Sequence, residues 1–145
     1  MPTMSRFTPR ALLLILTLSM CTLGSAQNRF ESGELKGFTI GRGEHIINYL
    51  DQAFTVSRVI GKAAVDGNDS PASGVLIELR GPNGSDAMAS TTTRPDGTFQ
   101  LKHVRPGKYM FKATWLGFQS VVGTIIVSAT AEAHETIAIQ MKPGV

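Results

Sequence analysis

The side chains that could carry out chemistry are spread along this chain in no catalytic or metal-binding pattern. His45, His103 and His134 lie far apart, and none belongs to an H-x-x-E, H-E-x-x-H or H-x-H spacing, which would bring two zinc ligands together. The sequence contains neither the G-x-S-x-G motif of a nucleophilic serine nor a glycine-rich phosphate-binding loop. We therefore predict a protein without enzymatic activity, metal or cofactor.

One segment superficially resembles a calcium-binding loop. Asp66, Asn68 and Ser70 have the spacing of the first ligands of an EF-hand. Pro71 stands where that loop needs a glycine, and Ile77 stands where it needs a bidentate glutamate. We interpret the segment as a turn between strands.

The N-terminal region has the layout of a secretory signal peptide. Arg6 and Arg10 give a positive start, residues 11–18 (ALLLILTL) form an apolar run, and Gly24 and Ala26 are small residues suited to a cleavage site. We predict cleavage after Ala26, which would make the protein secreted or periplasmic.

Two other interpretations of this region stay open. The apolar run could anchor the chain in a membrane, although it is shorter than the ~20 residues that span a bilayer. Cys21 could be lipidated as in bacterial lipoproteins, although the bulky Met20 precedes it where those signals carry a small residue.

Cleavage would change the charge and redox properties of the chain. The full sequence has a net charge of +3, and without residues 1–26 it has 12 basic and 11 acidic residues and no cysteine. This near-neutral balance predicts no nucleic-acid partner, and disulfides could not stabilise the fold. The remaining length suits one domain with its own core and no membrane span.

The rest of the sequence predicts an all-β domain. Residues 27–37 are polar and are interpreted as a flexible leader, and residues 38–54 could form a short helix or, as we prefer, an extra strand. From residue 55 onward, short runs of alternating apolar and polar residues are separated by turn residues, which is typical of a two-sheet sandwich. The predicted strands are 55–65, 75–80, 87–93, 98–102, 109–114, 119–128 and 134–142.

The order of these segments resembles a known family. Residues 59–141 contain VIGKAAVDG, ASGVLIELRG, TTTRPDGTFQLKHVRPGKYMFKATWLGF and IAIQM in sequence. This series is similar to the carboxypeptidase regulatory-like family, whose domains are transthyretin-like (prealbumin-type) β-sandwiches with a carbohydrate-binding-like fold. Its most specific part is the T-x-x-DG-x-F-x-L…PG-x-Y run, in which Gly97 and Gly107 would adopt positive φ angles in turns.

The resemblance implies a seven-stranded Greek-key sandwich over residues 55–142, followed by a short tail at residues 143–145. Members of the family are usually accessory domains with stabilising, adhesive or ligand-presenting roles. The transthyretin-like hydrolases carry a Tyr-Arg-Gly-Ser motif after the closing strand. Here Lys142, Pro143 and Gly144 follow Met141, so the resemblance does not extend to that activity.

Carbohydrate binding is the main alternative function. Related starch-binding-like sandwiches stack sugars on exposed aromatic rings, and the candidates here are Trp115, Phe118 and Tyr109. Trp115 falls on the same side of the strand alternation as Tyr109, Phe111 and Ala113. This alternation predicts instead that Trp115 lies in the core or at its rim. Both interpretations stay open.

Residues 119–128 (QSVVGTIIVS) are apolar on both faces and carry no charge. Such a strand is either covered by neighbours or forms an exposed edge that pairs with a partner or a second copy. The leading prediction is a secreted, non-enzymatic β-sandwich for binding or scaffolding at the cell envelope or outside the cell. Its ligand would be an unidentified protein or glycan.

Overall fold

The computed structural model describes residues 35–42, 44, 46–81, 89–132 and 135–144. In this part of the chain all regular structure is β, with nine strands in two sheets. The predicted all-β sandwich is confirmed, but the expected count of seven strands is wrong. The strands are β1 (Ile47–Tyr49), β2 (Phe54–Val56), β3 (Val59–Val65), β4 (Leu76–Arg80), β5 (Ala89–Thr92), β6 (Thr98–Leu101), β7 (Gly107–Thr114), β8 (Ser120–Val127) and β9 (Ile137–Met141).

The two sheets differ in size. The large sheet has the order β1-β8-β7-β4-β5, with β2 also paired to β8, and the small sheet has the order β6-β3-β9. β1 and β2 lie one after the other along the same edge of β8, both parallel to it. Since β7 occupies the other edge, β8 is covered on both sides. The interpretation of residues 119–128 as a covered strand is therefore confirmed, and the exposed-edge alternative for this strand is wrong.

The core lies between the inner faces of the two sheets. Ile77 and Leu79 of β4 and Phe111 and Ala113 of β7 point into it, as the alternation in the sequence predicted. From the small sheet, β9 contributes Ile137, Ile139 and Met141, all fully buried.

The predicted strand 55–65 is divided between the two sheets. β2 pairs with β8 in the large sheet, whereas β3 pairs with β6 and β9 in the small one, and residues 57–58 connect them. Val56 and Val59 are both buried in the core. Residues three apart in a continuous strand point to opposite faces, so both can enter one core only if the chain bends between them.

The outer face of the large sheet is also covered, which the sequence analysis did not predict. Met110, Lys112 and Glu78 point away from the core and yet are buried. The described residues between 35 and 46, here called the N-terminal strap, lie over them. Phe38 of the strap packs with Met110 and Val122 in a second apolar cluster.

Part of the predicted flexible leader belongs to the strap. Residues 35–37 form a turn that is closed by a hydrogen bond from the Phe38 N–H to the Leu35 carbonyl (3.2 Å). Within residues 38–54, where helix and strand were both considered, the structure has the short strands β1 and the start of β2. Residues 27–34 and the predicted signal peptide lie outside the described residues.

Candidate functional site

The turn between β7 and β8, here called the β7–β8 tip (residues 115–118), brings two of the predicted binding residues together. The rings of Trp115 and Phe118 stack with centroids 4.2 Å apart and an angle of 21° between their planes. The turn is closed by a hydrogen bond from the Phe118 N–H to the Trp115 carbonyl (3.1 Å), and Gly117 adopts a φ of 82°. A left-handed φ of this kind favours glycine, which explains the Gly-Phe pair.

Tyr109 does not join this pair. It lies six residues before Trp115 on an extended strand, which separates the two by roughly 20 Å at ~3.3 Å per residue. Its hydroxyl donates a hydrogen bond to the Arg105 carbonyl (2.8 Å) at the opposite end of β7. The three aromatic candidates therefore do not form one platform.

The exposed part of the tip is apolar. Trp115 and Phe118 are half-buried and pack against the core, whereas Leu116 between them is 72% exposed. The C-terminal segment supports the tip, because the Gly144 N–H donates to the Gly117 carbonyl (2.8 Å) and Phe118 bridges to Pro143. The tip is thus a supported apolar projection rather than an open ring face.

A buried polar cluster beneath the N-terminal strap was missed by the sequence analysis. The Lys112 ammonium donates to both carboxylate oxygens of Glu44 (2.8 Å each) and to the Thr39 carbonyl (2.8 Å). Glu78, the cross-strand neighbour of Lys112, accepts hydrogen bonds from the Thr39 N–H (3.0 Å) and hydroxyl (2.8 Å). These contacts fasten the strap to β4 and β7.

The electrostatics of this cluster keep Glu44 charged. Burial alone would raise the pKa of Glu44, but the hydrogen bonds from Lys112 and the Gly41 N–H outweigh it and hold that pKa below its usual range. The side chains of Lys112 and Glu44 are 3% and 7% exposed. A charged pair with its hydrogen bonds made internally has no free base or nucleophile to offer a substrate.

A sequence signal for the cluster does exist. Lys112 and Glu78 stand at facing positions of two central strands, where the outward side chains also include the apolar Met110. Met110 is an apolar residue on the face that would otherwise be in water, and Phe38 and Ile47 are apolar residues in the region before the predicted sandwich. Together they indicate that a segment before the sandwich covers this face.

The remaining polar candidates are the histidines and the segment with calcium-like spacing. His103 is exposed and adopts a φ of 60° near the turn before β7, whereas His45 and His134 lie outside the described residues. The segment with calcium-like spacing is a turn in which the Ser70 N–H donates to the Asn68 side chain (2.9 Å). Within the described ranges, no three His, Cys, Asp or Glu side chains are grouped to hold a metal ion, and no helix has the length and hydropathy to cross a membrane.

Residues 54–140 match one protein family, the second β-sandwich domain of BOS complex subunit NOMO1-like proteins. The chain belongs to this NOMO1-like β-sandwich family. The match begins at β2 and ends within β9, so it covers the sandwich and leaves the N-terminal strap outside. The expected resemblance to a transthyretin-like β-sandwich family is confirmed.

Two solved structures show the range of similar folds. A 5-hydroxyisourate hydrolase from Klebsiella pneumoniae has 16% identity and a TM-score of 0.47, over 62% of this chain and 93% of that one. A type II cohesin–X-dockerin complex from Acetivibrio cellulolyticus has 20% identity and a TM-score of 0.41, over 59% of this chain and 56% of that one. The comparison with curated proteins gave no match.

Proposed function

We propose that the protein is a secreted, non-enzymatic β-sandwich module that works by contact with another protein at the cell envelope or outside the cell. The observation that carries the proposal is that the buried charged side chains form their hydrogen bonds with one another and with the backbone of the protein. Lys112, Glu44 and Glu78 are bonded within the contact between the strap and the sheet, so they serve the fold. The family is named for a subunit of a complex, which fits a role in an assembly.

The β7–β8 tip is the surface best suited to such a contact. The exposed large apolar side chains of the described residues are Ile40, Ile46 and Leu116. Gly41, which follows Ile40, lies against Thr114 at the end of β7, and the Ile46 carbonyl accepts a hydrogen bond from the Ser120 N–H at the start of β8. All three therefore lie toward the same end of the sandwich as the tip, where an apolar patch favours a protein partner.

The sugar-binding alternative has less support from the geometry. Trp115 and Phe118 stack on each other, so each ring covers a face that a sugar would need, and Tyr109 is too far away to contribute. We expect no binding by the wild-type protein on a glycan array. Binding that is lost in Trp115→Ala while the circular dichroism spectrum is unchanged would instead establish the sugar function.

The proposal is tested by cross-linking in the native host. A tagged full-length chain should form a cross-linked complex of defined mass in the envelope or extracellular fraction. Leu116→Ser should abolish the complex, because it removes the most exposed apolar side chain of the tip. Lys62→Ser, at an exposed position of β3 in the other sheet, is the matched control and should leave the complex intact.

Two results would overturn the proposed function. One is a chain that gives no cross-linked complex in any fraction. The other is a purified chain that turns over a small molecule and loses that activity in Lys112→Met without unfolding.

A further inference from the structure

A cleft of about 550 Å³ lies beside the small sheet, between β9 and the connection from β1 to β2. One wall is formed by Asn48 of β1, by residues 50–53, which connect β1 to β2, and by Phe54 of β2. The other wall is formed by Ala138 and Gln140 of β9 and by Lys142, which follows it. Its volume falls in the range of about 300–1,000 Å³ that is typical of ligand-binding clefts. Leu50 and Phe54 are half-buried against the core and give the cleft an apolar part.

β9 is an edge strand of the small sheet, and some of its backbone N–H and C=O groups face this cleft. The Met141 carbonyl accepts a hydrogen bond from the Asp66 N–H (3.0 Å), so the backbone groups of Met141 face β3. In a parallel pair, alternate residues of a strand face opposite sides. Ala138 and Gln140 therefore direct their N–H and C=O groups away from β3, and these are the residues that line the cleft.

Along Ala138 and Gln140 this edge is open to a further strand. Within the described part of the chain, no strand pairs with β9 on the cleft side. Ala138 and Gln140 are neither charged nor proline, and the β1–β2 connection is separated from them by the cleft itself. At the end of the strand the edge closes, because the Lys142 carbonyl accepts a hydrogen bond from the Gln119 N–H (2.9 Å).

We propose that this cleft binds an extended peptide segment of a partner protein, which adds to β9 as a further strand. The backbone groups of Ala138 and Gln140 would pair with the peptide, and an apolar peptide side chain would contact Leu50 and Phe54. Asp51 and Lys142 line the cleft with opposite charges. The preferred peptide therefore carries a basic residue toward Asp51 and an acidic residue toward Lys142.

The proposal is tested with ¹⁵N-labelled full-length mature protein and short synthetic peptides. The probe alternates valine with threonine and has lysine at one end and glutamate at the other, supplied in both orders. A version with proline at alternate positions is the peptide control, since it cannot pair along an edge. The probe should shift the amide signals of Ala138 and Gln140 and slow their hydrogen exchange, whereas the amide of Ile139, which faces β3, should change least.

Two substitutions at one position separate the backbone contact from the side chain. Gln140→Pro removes the edge N–H without removing a ladder bond to β3, and should weaken the peptide by about tenfold, as expected for one lost hydrogen bond. Gln140→Ala keeps that N–H and should bind as the wild type does. If Gln140→Pro unfolds, Lys142→Glu serves instead and should abolish the preference between the two peptide orders, because both charged positions of the cleft are then acidic.

Several outcomes would overturn peptide binding at β9. These are no signal change with either peptide order, equal binding of the proline-containing control, or changes confined to residues 115–118. Leu116→Ser should leave the peptide response unchanged. A negative peptide titration would therefore overturn peptide binding at β9 alone, whereas a negative cross-linking experiment would overturn the proposed function.

Discussion

At the scale of single residues, Lys112 is a buried charge whose hydrogen bonds connect β7 to the N-terminal strap. An ammonium group has three N–H donors, and here they meet the two oxygens of Glu44 and the carbonyl of Thr39. Burying a charged group is costly unless the group is paired and hydrogen-bonded. Because Glu44 and Thr39 both belong to the N-terminal strap, Lys112 can form these three hydrogen bonds only when the strap is in place.

Lys112→Met should therefore destabilise the protein by about 3 kcal/mol, because it leaves the Glu44 carboxylate buried without its partner. Urea unfolding at pH 7 measures the loss. Lys62→Met, at an exposed position of β3, is the control and should change the free energy of unfolding by less than about 0.5 kcal/mol. The double variant Lys112→Met/Glu44→Leu should recover most of the loss, because it removes both charges. A double variant no more stable than Lys112→Met would contradict this account.

The lowered pKa of Glu44 predicts a dependence of stability on pH. A carboxyl group whose pKa is lower in the folded state stabilises the fold above its unfolded pKa of about 4.3. This contribution is lost as the pH falls through the folded pKa. Urea unfolding between pH 7 and pH 3 should show the largest deficit of Glu44→Gln near neutral pH, and the two curves should converge in acid. Glu132→Gln, an exposed control, should run parallel to the wild type, and a constant deficit of Glu44→Gln at all pH values would be incompatible with this linkage.

At the scale of elements, the turn that leads from β5 of the large sheet into β6 of the small sheet is fixed against β3. Gly97 adopts a φ of 80°, and its carbonyl accepts a hydrogen bond from the Ala63 N–H (2.8 Å) in β3. The hydroxyl and N–H of Thr98 bond to the Asp96 carboxylate, and the hydroxyl bond above all holds the pKa of Asp96 below its usual value. The turn is therefore fixed both by its own side chains and by the neighbouring strand.

Gly67 and Gly97 have similar positive φ angles but different surroundings. Alanine substitutions at the two positions therefore distinguish the cost of the left-handed backbone from the cost of a steric clash. Gly67 has a φ of 92° with open space around it, whereas a methyl group on Gly97 would collide with the Ala63 carbonyl. Gly67→Ala should cost about 1 kcal/mol, which is the penalty of the left-handed conformation. Gly97→Ala should cost about 3 kcal/mol, because overpacking against backbone adds to that penalty. Thermal and urea unfolding of the two variants provide the test, and equal losses would show that the close approach at Gly97 is relieved by a backbone shift.

The elements also show what the sequence could predict. Alternation along β4, β6 and β7 indicated the inward side chains correctly, because it is a local property of each strand. It could not indicate that the N-terminal strap covers the outer face, since that depends on a segment distant in sequence from β4 and β7. Trp115 and Phe118 lie together because one turn joins them. Tyr109 lies at the other end of β7, and the shared strand parity of Tyr109 and Trp115 fixes the face of the sheet but not the position along the strand.

At the scale of the whole molecule, the secreted form should begin at Gln27. The signal-peptide pattern in residues 1–26 places the small residues Gly24 and Ala26 before the cleavage point. Intact-mass and N-terminal sequence measurements on protein recovered outside the cytoplasm check this expectation. Ala26→Phe should block processing, whereas Cys21→Ser should not. A mature chain that begins at Cys21 and carries a lipid would replace secretion with membrane anchoring.

The stable domain should extend beyond the family match. A chain that begins at Phe54 keeps the matched region but loses Phe38, and with it the cover of Met110 and Val122. Burial of a large apolar side chain contributes about 1.5–3 kcal/mol. Because Met110 and Val122 both lose their cover, we expect this shorter chain to be about 3–6 kcal/mol less stable than one that begins at Leu35. It should also self-associate with increasing concentration, because removing β1 frees part of the apolar edge of β8. Urea unfolding and analytical ultracentrifugation of the two chains measure both effects, and Phe38→Ser in the longer chain should have intermediate stability while remaining monomeric. Coincident unfolding curves for the two chains would mean that the N-terminal strap contributes nothing to the fold, and the argument from Lys112 would fail with it.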